Sequence, residues 1–235
     1  MRAGDQYPPS GAKGRFQANL RAIETARLLD EEGRRPTRDE QEALAAWSSW
    51  GAIPDVFDDR KPDWAQEREQ LKAVLSDEDY RAAGETILNA HYTDPALITA
   101  MWQSLTDLGF SGGQVIEPGS GSGNFIGAAP AGMSITGVEI DPITSSIARH
   151  LYPDADIQTE SFAETRVRPD SFDAAIGNVP FGRTRLLDPV WNPGQRFNIH
   201  EHFIRKSLGG ASWWGSDGRG HVCVNQRPAQ PRTAR

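Results

Sequence analysis

A chain of 235 residues with 37% hydrophobic content can bury one sizeable core and a small accessory region, and its single cysteine, Cys223, excludes an internal disulfide or a cysteine zinc cluster. The net charge of -7 argues against a broadly basic nucleic-acid-coating protein, although Arg166, Arg168, Arg183 and Arg185 still offer a local patch for phosphates. No apolar run approaches the ~20 residues of a membrane span and residues 1–10 lack the pattern of a secretory signal, so a cytoplasmic protein without a membrane partner is expected.

Residues 1–14 are rich in Gly and Pro and read as disordered, whereas residues 15–90 read as a helical region. Thr37 with Glu40 three residues on forms a capping box, followed by Leu44 and Trp47 on one face. Trp64, Leu71, Val74 and Leu75 mark a further helix, and Ser76 opens another carrying Tyr80, Ala83, Ile87 and Leu88. The tryptophans at 47, 50, 64 and 102 read as packing residues.

From residue 91 the rhythm changes to alternating strands and helices. Asp94 and Pro95 start a helix expected to bury Leu97, Ile98, Met101, Trp102, Leu105 and Leu108. "GQVIEPGSGSGNF" reads as a strand entering a glycine loop, "SITGVEID" as a second strand, "PITSSIARHLYP" as a returning helix, and "ADIQTESF" and "FDAAIGN" as two more strands. This alternation predicts an α/β fold with a Rossmann-like, doubly wound parallel sheet over residues 91–208, binding ligands at the carboxyl ends of its strands. Residues 209–235 contain no Leu, Ile, Phe, Tyr or Met and show neither period, so an irregular, disordered tail is expected there.

Gly119, Gly121 and Gly123, after Glu117, permit a tight turn and close backbone approach to a ligand at a helix N-terminus. The loop lacks the Lys-Ser/Thr of a phosphate-binding P-loop, and alone it is a weak signal. Glu139 ends the next strand ~20 residues on, where an acid can accept hydrogen bonds from the ribose hydroxyls of an adenosine cofactor. The pair suits either a dinucleotide or S-adenosylmethionine. No metal site is supported, since His200 and His202 project to opposite sides of a strand, or about 200° apart on a helix.

The stretch "FDAAIGNVPFG" ends a strand in a polar amide, a proline and an aromatic ring. The Asn178 side-chain oxygen and the Val179 carbonyl make two acceptors, suited to an amino group with two hydrogens. An exocyclic amine such as adenine N6 is a poor nucleophile because its lone pair is delocalised into the ring. Holding both hydrogens out of plane aims that lone pair at an electrophile without a strong general base. Pro180 stiffens the turn, and Phe181 offers a face on which an extruded base can stack.

With these residues in order, the sequence resembles the class I S-adenosylmethionine-dependent adenine-N6 DNA methyltransferases, whose hallmark is Asn or Asp, then Pro, Pro and an aromatic residue. The resemblance implies that Asn178, Val179, Pro180 and Phe181 are the catalytic tetrapeptide and that S-adenosyl-L-methionine is the cofactor. "HYTDP" looks like the segment touching its methionine part, through Tyr92, Thr93 and Pro95. "VIEPGSGSGNF" looks like the cofactor loop, with Glu117, Gly119, Gly121 and Gly123. "GVEID" supplies the ribose-binding Glu139 and its neighbour Ile140, and "TESF" puts Ser161 and Phe162 at the cofactor adenine. Over residues 12–208 the chain looks like the start of the large methylase-helicase proteins of phages and plasmids, which implies DNA with a flipped adenine as partner and a helicase on the same or a neighbouring reading frame.

Two departures from that family stand out. Val179 replaces the usual first proline, at a position implied to act through its backbone carbonyl. The strands expected after the catalytic turn, introduced by a "PGG" sequence, are not recognisable, so the domain reads as partial and the tail as a product of another reading frame. A truncated remnant binding cofactor only, and a protein-glutamine N-methyltransferase, are the alternative readings. A dehydrogenase leaves Asn178–Phe181 unexplained.

Overall fold

A computed structural model describes residues 9–87, 93–211 and the backbone of 221–225. The first unit is a helical layer: α1 (Ala12–Glu32), α2 (Arg38–Ala45), short 3₁₀ turns between residues 50 and 64, α3 (Ala65–Val74) and α4 (Asp77–Thr86). The capping box at Thr37 forms as its sequence predicts, with the hydroxyl accepting from the Glu40 amide and the Glu40 carboxylate accepting from the Thr37 amide. Part of the expected N-terminal disorder is overturned, because α1 already begins at Ala12. Gly11, at φ 85°, turns the chain into the helix, and Phe16 packs edge-on against Trp64 at 6.3 Å.

The second unit contains α5 (Pro95–Asp107), β1 (Gly113–Pro118), α6 (Asn124–Gly127), β2 (Met133–Glu139), α7 (Pro142–Leu151), β3 (Asp156–Thr159), β4 (Ala174–Asn178), α8 (Ile199–Gly210) and β5 (His221–Asn225). All strands are parallel, in the order β3-β2-β1-β4-β5. This is a Rossmann-like doubly wound sheet, with the chain reversing direction between β1 and β4. Alternation along the strands assigns the two faces. Val115, Ala174 and Ile176 face α5, while Ile116, Ala175 and Val138 face Phe162 and α8's Phe203.

Asp94 caps α5 by accepting from the Ala96 amide at 2.8 Å, and the buried stripe is Ile98, Met101, Trp102 and Leu105. Leu97 and Leu108, expected inside, are 38% and 65% exposed. Leu97 flanks that i, i+3, i+4, i+7 stripe, and Leu108 is already the C-cap. The tail also departs from expectation. Residues 209 and 210 complete α8, and His221–Asn225 add to β4 in register, Ala174 against His221 through Asn178 against Asn225. Valines at 222 and 224 suit a strand, and the backbone groups along β4 supply a template for pairing.

The helical layer docks on α7. Ile143 and Ile147 join its core, Asp30 accepts from the Ser146 hydroxyl at 2.8 Å and lies 2.8 Å from His150 Nε2, and Trp50 Nε1 donates to Asp141 at 3.1 Å.

Between β4 and α8 the loop is fixed by buried Asp188. One oxygen accepts from the Val190 and Trp191 amides, and the other from His202 Nε2 at 2.9 Å and Lys206 Nζ at 2.8 Å. Lys206 also donates to the Phe162 carbonyl at 2.6 Å, tying this loop to the one after β3. Burial pushes the Asp188 carboxyl up, but Lys206 and the loop amides outweigh it and hold it at about 2. Its charge therefore stabilises the fold above the ordinary Asp value near 4, and this contribution is lost as pH falls through about 2. Asp188→Ala, which strands Lys206 in the interior, should cost about 3–5 kcal/mol in urea denaturation at neutral pH.

Candidate functional site

At the carboxyl ends of β1, β2 and β4 lies a cavity of about 370 Å³. It is built where the glycine loop leaves β1. Gly119 and Gly121 have φ values of 70° and 55°, which side chains resist, and the Gly119 and Ser120 amides both donate to the Val138 carbonyl, at 2.8 and 3.0 Å. That close seat requires Gly137 on β2, where an added Cβ would lie 2.9 Å from Ser120 Oγ. Glu139, at the end of β2, accepts from the Gly121 amide and from the Asp141 amide, each at 2.8 Å. Each of its oxygens keeps a further lone pair for a ligand.

The cavity is acidic. Glu85, Glu117, Glu139, Asp141 and Glu160 line it, and no Lys, Arg or His among the described residues does. Burial, then the neighbouring Glu139 charge, pushes Glu117 well above the usual carboxylate range. Burial likewise pushes Glu139 up to about 7, against the Asp141 and Gly121 amides that favour its ionised form. Asp141 is raised by burial, opposed by the Thr144 hydroxyl and the Trp50 indole.

Several buried side-chain oxygens on this wall have no hydrogen-bond partner: Glu117 Oε2, Ser120 Oγ, Asp141 Oδ1 and Asn178 Oδ1. Such atoms cost about 1–3 kcal/mol each when left unmatched, and four residues that line this one cavity carry one.

Of the residues singled out in the sequence, Thr93, Glu117, Gly119, Gly121, Glu139, Ile140, Ser161, Phe162, Asn178 and Pro180 line the cavity together. Four others do not. Gly123 caps α6 at φ 85°, and an added Cβ would lie 2.7 Å from the Tyr152 ring, so that glycine serves packing. Pro95 is an exposed first-turn residue of α5. The Val179 side chain is buried with Ile116 and Phe203 beneath the site. Phe181 lies outside the lining, its ring 6.2 Å from that of His200 at 34°. Tyr92 lies outside the described residues.

The sequence reading missed Asp141, Glu160 and the contribution of the helical layer, which brings Trp47, Ser49 and Trp50 to the wall. Asp141 before Pro142 reads as a helix cap, and it is one. Trp47 and Trp50 do pack, at 4.9 Å edge to face, while also facing the cavity.

Because Glu117 and Glu139 both bind protons more tightly folded than unfolded, the native state holds the extra protons above the ordinary Glu value near 4.5. Stability should therefore fall as pH rises from about 5 to about 7. Denaturation midpoints across that window should show the slope, and the Glu117→Gln, Glu139→Gln double variant should lose most of it.

No protein-family model matches the chain. Among curated proteins it is similar to Defense against restriction protein B of Escherichia phage P1, 32% identical over 126 residues that cover 52% of this chain and 6% of that protein. The match thus spans only a small part of the relative's length. Among solved structures it is similar to a candidate RNA methyltransferase from Pyrococcus horikoshii, with 20% identity, TM-score 0.40, and 52% and 59% of the two chains covered. It is also similar to a candidate class I S-adenosylmethionine-dependent methyltransferase from Listeria monocytogenes, with 14% identity, TM-score 0.40, and 84% and 70% covered. At these scores the fold rests on the strand order itself.

Proposed function

We propose that this chain is the cofactor-binding and catalytic part of a methyltransferase that uses S-adenosyl-L-methionine to methylate adenine N6 in DNA. One observation carries the reading: an unpartnered, buried Asn178 Oδ1 stands at the end of β4 on the wall of a cavity lined by carboxylates and lacking a cation among the described residues.

Charge decides between the two cofactors that the glycine loop and Glu139 allow. A dinucleotide brings a pyrophosphate, for which no Lys, Arg or His among the described residues lines the cavity. S-adenosylmethionine brings a sulfonium and an ammonium, which an acidic lining suits because a nearby cation favours the ionised form of each acid. The residues present fit it. Glu139 retains lone pairs for ribose hydroxyls, Glu117 Oε2 has no partner within the protein, and the outward side of Gly121 opens on empty space. Thr93 lines the same cavity for the ligand's carboxylate end, and Ile140 and Phe162 give apolar faces for adenine.

When bound, S-adenosylmethionine supplies an electrophilic methyl group and departs as a neutral thioether. The chain's part is to hold the acceptor nitrogen. Asn178 Oδ1 and the Val179 carbonyl each accept one N–H of the exocyclic amine, which turns its lone pair out of the ring plane toward the methyl group; once the N–C bond has formed, one of those two protons is lost to water to leave the secondary amine. Burial of the Val179 side chain fixes that carbonyl, so valine serves where a proline is usual. Phe181 and its neighbour His200 offer rings beside the turn for an extruded base. A phage relative named for defence against restriction supports DNA as substrate, since methylating an amine in a recognition site is one chemical means of blocking cleavage.

Glu139→Ala should weaken S-adenosylhomocysteine binding by roughly 1.5–3 kcal/mol, read by calorimetry. Asn178→Ala should leave that affinity unchanged and lower methyl transfer ~10²–10³-fold, read as N6-methyladenine after nucleoside digestion of DNA incubated with the chain and S-adenosylmethionine. An unaltered chain that binds cofactor but methylates only a glutamine peptide would replace DNA with protein as substrate.

A further inference from the structure

The helical layer ahead of the sheet meets the ligand cavity at residues 47–50, and its geometry there is not that of an ordinary packing contact. Ser49 has φ 64° and ψ 169°, a conformation that costs about 1–3 kcal/mol for a residue with a side chain. Asn19, 1% exposed on α1, holds it there. Its amide nitrogen donates to the Ser49 carbonyl at 3.1 Å, while its oxygen accepts from the Ser48 amide at 2.8 Å and the Ser48 hydroxyl at 2.9 Å. The strained turn delivers Ser49 to the cavity wall and Trp50 to Asp141.

Asp141 is 3% exposed, and its two oxygens differ. Oδ2 is saturated by the Trp50 indole at 3.1 Å and by the Thr144 amide and hydroxyl at 3.2 and 2.5 Å. Oδ1 has no partner, and the residue lines the cavity next to Glu139. The hydrogen bonds of the α7 cap all fall on Oδ2, and although the Ile143 amide also favours the charged carboxylate, Oδ1 itself makes no hydrogen bond. An indole donor from a different layer keeps the carboxylate in an orientation that leaves Oδ1 unmatched, which makes sense if a ligand matches it.

We infer that the helical layer builds a second wall of the ligand site, where Asp141 Oδ1, braced by Trp50 and flanked by Ser49, accepts a hydrogen bond from a hydroxyl or amino donor of the bound nucleoside. The identity of that nucleoside rests on the methyltransferase reading. The layer is therefore part of the binding site, and its docking on α7 and ligand binding reinforce each other.

Two substitutions in the full chain separate binding from folding. Asp141→Asn keeps a capping oxygen, because Asn caps as well as Asp, but turns an amide N–H₂ toward the cavity where an acceptor is needed. Its affinity for S-adenosylhomocysteine by calorimetry should fall about 10-fold, with little change in the thermal unfolding midpoint. Ser49→Gly relaxes the positive φ and removes the hydroxyl. Binding should weaken by roughly 3–10-fold while the unfolding midpoint holds or rises, the signature of strain kept for function. Glu139→Ala serves as the control. If it weakens binding as expected while Asp141→Asn and Ser49→Gly both bind as the unaltered chain does, the inference is overturned and the methyltransferase reading stands. If the unaltered chain binds no S-adenosylhomocysteine, both fall.

Discussion

The Glu139 carboxylate ties the site together. Through Gly121 it fixes the glycine loop, and through the Asp141 amide it fixes the start of α7. Asp141 in turn holds Trp50, and with it the helical layer. Three stretches far apart in sequence thus depend on one side chain at the end of β2. The requirement is physical: a loop leaving a parallel strand carries amides that the sheet no longer satisfies, and a buried acid is a compact way to satisfy two of them at once. The arrangement has a consequence for charge. Two oxygens accepting only backbone amides do not neutralise the group, so burial still raises its proton affinity.

That frustration is shared by Glu117, Glu139 and Asp141, all of which burial makes harder to ionise. Without a ligand the wall is a set of acids in each other's way. A cation entering the cavity would lower all three proton affinities together, so its binding and the release of protons would be linked.

Much of the sheet was legible in advance because its signals are local. The strands alternate or run apolar, Asp94 opens its helix with Pro95 in the first turn, and the glycine loop and Glu139 sit at a spacing that has a mechanical reason. The misreadings are equally physical. Leu97 and Leu108 match a helical apolar pattern but fall off the face that the sheet covers. Gly123 looks like its two neighbours in the loop, yet the Tyr152 ring, 29 positions away, is what requires it. The tail's composition carries too few large apolar residues to announce a strand, and only the pairing needs of β4 show why residues 221–225 become one. Long-range partners decide these cases, and periodicity cannot see them.

The same contrast separates scaffold from site within the structure. Asp188 is as buried as Asp141, but both of its oxygens are matched, by two loop amides, His202 and Lys206, so its energy goes into holding the loop after β4 against the one after β3. Asp141, Glu117 and Asn178 each keep an oxygen unmatched, and each lines the cavity. Unmatched atoms also occur away from it, as at His202 Nδ1 and Ser207 Oγ, so isolation alone is not diagnostic. What distinguishes the cavity is convergence: Glu117 on β1, Asp141 at the start of α7 and Asn178 on β4 each carry an unmatched oxygen, and all three residues line one space. Unmatched oxygens gathered at the carboxyl edge of a doubly wound sheet, where such sheets bind their ligands, favour a ligand site there over a purely structural role.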